Sequence, residues 1–189
     1  MKRLAVYCGS SMGNDPAFAG TARALGAEMA RRGIELVYGG GRLGLMGVVA
    51  DSVLAAGGRA HGVIPKALID LEVAHEGLTE LHIVTSMHER KAKMTELTDA
   101  FVALPGGIGT FDELFEAWTW NALGYHAKPF ALLNVSGFWD GLIAFLDHTT
   151  ASGFMSPARR AQLLVAEEIG EAIDALDSAA KASERKMVW

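Results

Sequence analysis

Three short apolar runs in this 189-residue chain end in turns of small residues, and each turn leads into a helical pattern. Residues 4–8 run into Gly9-Ser10-Ser11, residues 34–38 into Gly39-Gly40-Gly41, and residues 100–104 into Pro105-Gly106-Gly107. A strand that is apolar throughout is buried on both faces, and the helices that follow such strands cover those faces. Further strands are expected over 60–64, 81–84 and 130–134, with a short one near Leu163. Helices are expected over 16–32, from the Gly39 turn to about 56, over 86–98, from the Pro105 turn to about 123, over 137–149 and from about 168. The alternation predicts one α/β domain over residues 1–189, a doubly wound, mainly parallel sheet with helices on both faces. Ligands in such folds sit beyond the carboxyl ends of the strands, so the three turns mark the expected site.

Composition narrows the function. Half the residues are apolar and 21% are charged, which excludes a disordered chain. The longest apolar or glycine run, residues 43–50, is far short of the ~20 residues that span a bilayer. The start, MKRLAVYCGSS, has only a five-residue apolar stretch, so a cytoplasmic protein is expected. One cysteine cannot form an internal disulfide, no Cys/His cluster has zinc-ligand spacing, and no metal is expected. A net charge of −5 gives no reason to bind nucleic acid. The expected partner is a small molecule or a second copy of the chain.

Residues 39–44, GGGRLG, fit G-x-G-x-x-G between a strand and a helix, the setting of a dinucleotide fingerprint. The acidic residue expected about 20 positions on is missing, because the third strand runs out in Gly62-Val63-Ile64-Pro65-Lys66. That argues against NAD and leaves two readings, a tight connection or a backbone surface for one phosphate or nucleoside. Residues 105–110, PGGIGT, lack the Gly-Lys-Ser/Thr ending of a P-loop, but their amides at a positive helix end suit a phosphate monoester. Thr110 and Glu113 also have capping-box spacing, in which Glu113 would only serve the helix end; Ser86 and Glu89 have the same spacing. Arg90 and Lys91 then fall in a first helical turn, where cations oppose the helix dipole by roughly 0.3–1 kcal/mol each when exposed. Either an anion lies close by or both side chains extend into water. In the helix after Thr110, residues Phe111, Leu114, Phe115, Trp118 and Ala122 share one stripe, the expected core face, and Trp120 lies off it.

Residues 105–113, PGGIGTFDE, resemble the P-G-G-x-G-T-x-x-E signature of the LOG family of cytokinin-activating phosphoribohydrolases. YCGSSMG, YGGGRLGLMG, MHERK, TWNALGYHAKP and LLNVSGFWD extend the resemblance over about residues 6–154. It implies a Rossmann-like homodimer that hydrolyses the N-glycosidic bond of purine riboside 5′-monophosphates, AMP or its N6-substituted forms, to free base and ribose 5-phosphate. By motif match Arg90 and Glu113 take the catalytic positions, and Lys91, Gly106, Gly107, Gly109, Thr110 and Thr119 take nucleotide-binding positions. Gly9, Ser10, Gly40, Gly41 and Met87, in the neighbouring turns and in MHERK, are expected to line the same site. No cofactor is implied, and nothing here resembles the pyridoxal-phosphate lysine suggested by the family's older label, lysine decarboxylase. One departure stands out: Pro65 is followed by Lys66 and Ala67 where plant-like members carry an acidic residue. A rival reading of the same fold is a carrier of a nucleotide or of molybdenum cofactor, without turnover. The chemistry suits the enzyme, since a carboxylate stabilises the oxocarbenium-like centre of glycosidic cleavage or activates water.

Overall fold

Within the residues described by a computed structural model, 1–69 and 73–186, seven strands form one sheet in which every pairing is parallel. They are β1 Arg3–Tyr7, β2 Glu35–Tyr38, β3 Ala60–Pro65, β4 Glu80–Val84, β5 Ala100–Ala103, β6 Phe130–Leu133 and β7 Leu163–Ala166. Their order across the sheet is β4-β3-β2-β1-β5-β6-β7. The chain therefore builds outward from β1 to β4 and then returns to place β5 on the other side of β1. That reversal opens a crevice above the carboxyl ends of β1 and β5.

Side-chain alternation divides the core between two layers of helices. Leu4, Val6, Leu36, Tyr38, Val102 and Leu133 face α1 (Pro16–Arg31), α2 (Gly44–Ala55) and α7 (Ile169–Lys186). Ala5, Tyr7, Val37, Val63, Phe101 and Leu132 face α3 (Met87–Leu97), α4 (Ile108–Ala122) and α5 (Asp140–Ala151). The expected doubly wound α/β architecture is observed. Local chemistry sets the helix ends: the Asp15 carboxylate accepts from the Ala17 amide at 2.8 Å ahead of Pro16, and Gly33 follows the last turn of α1 at φ +69°. No helix among the described residues is long and apolar enough to cross a membrane.

Three expectations need correction. α5 begins at Asp140 and not at 137, because Val135–Gly137 forms a 3-10 turn with Ser136 at φ +51°, and the Asn134 side chain ties that turn to Trp139 and Asp140. A short helix α6, Pro157–Arg160, precedes β7; Ser156 caps it and Pro157 opens it, a start signal in plain sight. On α4 the buried residues are Thr110, Leu114, Ala117 and Trp118, whereas Phe115 and Ala122 turn outward. The stripe rotates because small Ala117 lies against the sheet and leaves Phe115 to the surface, 37% exposed.

Candidate functional site

Backbone pairing brings two of the three turns together. The Gly9 amide donates to Pro105 O at 3.1 Å, and the Gly9 carbonyl accepts from Leu45 N at 3.0 Å and Met46 N at 3.4 Å. The first-turn amides of α2, which a phosphate would otherwise use, thus answer to the chain itself. The G-x-G-x-x-G stretch therefore serves as a strand-to-helix connection, and Leu45 just after it lines the same cleft as Gly9. Gly44 holds φ +58°, and a Cβ there would collide with the backbone of Ser10. Gly40 and Gly41 are buried and brace the segment at Ala74 and His75: Gly40 O accepts from His75 N at 3.0 Å, and Gly41 forms a bridge with Ala74.

The Pro105 turn is built differently. Gly107 is the N-cap of α4 and no side chain caps it. The first-turn amides of Ile108, Gly109 and Thr110 lack intrahelical partners by the geometry of any helix start. Gly107 and Gly109 are exposed, and a Cβ on either would meet nothing within 4 Å, so this side of the turn lies open. Thr110 is buried, and a Cβ on Gly106 would strike its Oγ1, so the hydroxyl supports the turn from beneath. Because Gly107 and not Thr110 is the N-cap, Glu113 falls in the second turn of α4 and closes no capping box with Thr110. The capping account of Glu113 thereby falls away.

Glu113 is half-buried against the end of β1. Burial first, and then the Glu113 charge, push the Tyr7 hydroxyl and the Cys8 thiol well above their ordinary pKa values. Arg90 is 4% exposed. Its Nη2 donates to Gly39 O at 2.8 Å and its Nε to Val63 O at 3.1 Å, while Met87 Sδ lies 3.9 Å from Nη1. Burying a cation costs several kcal/mol unless hydrogen bonds offset it, and these carbonyls at the ends of β2 and β3 do so. A Cβ on Gly39 would collide with Nη2, so glycine is required for this approach.

Lys91 is also buried, so of the two readings left open for this pair, extension of both side chains into water is set aside. Its ammonium pairs with Asp112 at 2.9 Å and with Glu116. Burial alone would lower its pKa, but the bonds to Glu116 and Asp112 outweigh burial and raise it. Lys91 therefore clamps α3 to α4. The Ser86 box is present: Ser86 Oγ accepts from Glu89 N at 3.1 Å, and the Glu89 carboxylate turns back to Thr85 N at 2.7 Å.

A cleft of about 230 Å³ at the crevice is lined by Gly9, Ser10, Met12, Phe18, Gly106 and Phe138, among others. Phe18 and Phe138 meet edge to face at 5.7 Å. Thr119 opens into another groove, with Phe115, Trp118 and Phe154, about 13 Å along α4 from Thr110. The structure does not bring Thr119 to the cleft within one chain. Sequence reading missed Gly39 and Val63 as the seats of Arg90, since only backbone carbonyls act there. It missed Phe138 because nothing in the sequence marks a side chain carried past the end of β6.

A family model described as "Possible lysine decarboxylase" matches residues 46–176. A cytokinin riboside 5′-monophosphate phosphoribohydrolase from Rhodococcoides fascians is 46% identical over 178 residues, covering 94% of this chain and 90% of that protein. Its counterpart LOG1 from Arabidopsis thaliana is 45% identical over 176 residues, covering 93% and 83%. Among solved structures, the molybdenum cofactor carrier protein of Chlamydomonas reinhardtii superposes with a TM-score of 0.71 at 20% identity, covering 96% of this chain and 98% of that one. At that identity the likeness concerns the fold alone.

The Lys91 geometry makes a prediction. Lys91→Met should cost about 2–3 kcal/mol in urea unfolding, because Glu116 is left without its counter-charge. Unchanged stability would mean that Lys91 is held ready for a bound anion.

Proposed function

Because the chain belongs to the family of cytokinin riboside 5′-monophosphate phosphoribohydrolases, we propose that it hydrolyses the C1′–N9 bond of purine riboside 5′-monophosphates. The products are the free base and ribose 5-phosphate. The observation that carries this reading is the position of Glu113, one helical turn beyond the open amides of α4 and half-buried against the end of β1. In the proposed mechanism the amides of Gly107, Ile108, Gly109 and Thr110 and the positive end of α4 hold the 5′-phosphate. Ser10 at the cleft wall and Met87 beside Arg90 contact the nucleotide. Arg90, seated on two carbonyls, orients it with a charged donor. Glu113 stabilises the oxocarbenium-like C1′ and takes a proton from the attacking water, while the electron pair of the broken bond leaves with the base, which takes up a proton from solvent to become the free purine. Gly9, Gly40, Gly41 and Lys91 are assigned to holding the turns and helices that shape the site. The lysine decarboxylase description finds no support here, since Lys91 is held as an ammonium between carboxylates and is unsuited to form a Schiff base.

The reading includes a homodimer and a cytoplasmic setting. Exposed apolar side chains beside Thr119, with Phe154 88% and Phe115 37% exposed, support an interface on the α4 side. Trp120, which lies off the core stripe, is half-buried against Tyr125 near the same helix. The single unpaired Cys8 suits a reducing compartment.

Three outcomes are expected. AMP should be cleaved with a far higher kcat/KM than adenosine, measured by release of adenine, and comparable values would remove the phosphate from the argument. Glu113→Gln should keep its melting temperature and AMP affinity while kcat falls about 10²-fold or more. Near-normal turnover in that folded variant would favour the carrier reading. Light scattering at micromolar concentration should report twice the 20.1 kDa chain mass.

A further inference from the structure

At the opposite end of the sheet, the register of the edge strand assembles a cluster that linear spacing conceals. His61 on β3 pairs with Glu80 on β4, and His82 lies two residues on, on the same face. The His61 Nδ1, His82 Nε2 and Glu80 carboxylate oxygens all lie within 4.8 Å of one another. His61 is 1% exposed, and its Nε2 is 2.9 Å from the Glu35 carboxylate, which also holds Arg3 at 2.8 Å and Arg59 at 3.3 Å. The hydrogen bond from Arg3, outweighing partial burial, and that from His61 keep Glu35 below the usual carboxylate range. Glu35 thus occupies the Nε2 side of the ring, and Nδ1 faces Glu80 at 3.4 Å. Nδ1 of His61 and Nε2 of His82 are both buried and have no hydrogen-bond partner among the described residues.

We infer that His61 Nδ1, His82 Nε2 and the Glu80 carboxylate form a binding site for a divalent transition-metal ion such as zinc, with Glu35 orienting His61 from behind. The spacing fits an ion between the groups better than direct hydrogen bonds. His61 Nδ1 and His82 Nε2 lie 3.4 and 3.5 Å from the same Glu80 oxygen. Good N–H···O bonds are shorter, whereas metal–ligand bonds of about 2.0–2.1 Å in a tetrahedron place ligand atoms roughly 3.3–3.4 Å apart. Two imidazoles and a carboxylate are a borderline donor set that suits zinc, and a carboxylate on the far nitrogen of a ligating histidine is the usual outer support. The exposed side of Glu80 leaves a fourth position for water. Linear spacing does not show this cluster: Glu80 and His82 are nearly adjacent, but His61 reaches them only through the β3–β4 register.

The test uses full-length protein without a histidine tag, stripped with EDTA and titrated with zinc chloride by calorimetry and thermal melting. One ion per chain and a rise of about 5 °C or more at saturation are expected. Glu80→Gln and His82→Ala, both on the edge strand, should keep the unliganded melting temperature, bind zinc at least tenfold more weakly and lose the shift. No zinc-dependent shift in the wild type, or an equal shift in both variants, would overturn the site. So would stability that rises only on acidification without response to zinc, because a proton would then be the cation between these groups.

Discussion

Gly9 commits both of its backbone groups to neighbouring turns, and the geometry of the crevice depends on that double use. Its amide ties the end of β1 to Pro105, and its carbonyl caps α2. Each satisfies a group that would otherwise be orphaned where a strand stops or a helix starts. With α2 capped from within, its first-turn amides are engaged by the chain, and the helix start left open to solvent is that of α4. Two similar glycine turns thus acquire different roles through one residue's hydrogen bonds.

The same accounting explains the buried cations. Arg90 and Lys91 are adjacent on α3 and both desolvated, yet their solutions differ. Arg90 reaches forward to carbonyls at the strand ends, where its planar donors suit several acceptors. Lys91 reaches sideways to carboxylates of α4 and fixes the helix that carries Glu113. One cation therefore lies at the site while the other sets the distance between the two helices that frame it.

The doubly wound sheet was legible because apolar runs and glycine stops report burial on both faces directly. The Pro105 turn and the anomalous Arg90-Lys91 pair were legible too, the second through its conflict with the helix dipole. The exact start of α4 was not: Thr110 followed by Glu113 satisfies a capping pattern, and only the pairing of Gly9 with Pro105 and the placement of Thr110 under Gly106 move the cap to Gly107. Gly39 and Val63 were invisible as seats for Arg90, because a carbonyl carries no side-chain signal. The His61–Glu80–His82 cluster was hidden because register between strands is a tertiary fact.

The return of β5 to β1 has a kinetic consequence. Leu4 pairs with Ala100, ninety-six residues on, so the crevice cannot exist until the long intervening chain has closed. Such closure is entropically costly and makes parallel, non-local pairing slow. A nascent chain halted before β5 holds the Gly9 and Gly39 turns and Arg90 but lacks the Pro105 turn, α4 and Glu113. Its half of the crevice lacks the open start of α4, so the crevice is completed late in folding, after the second half of the sheet has been synthesised.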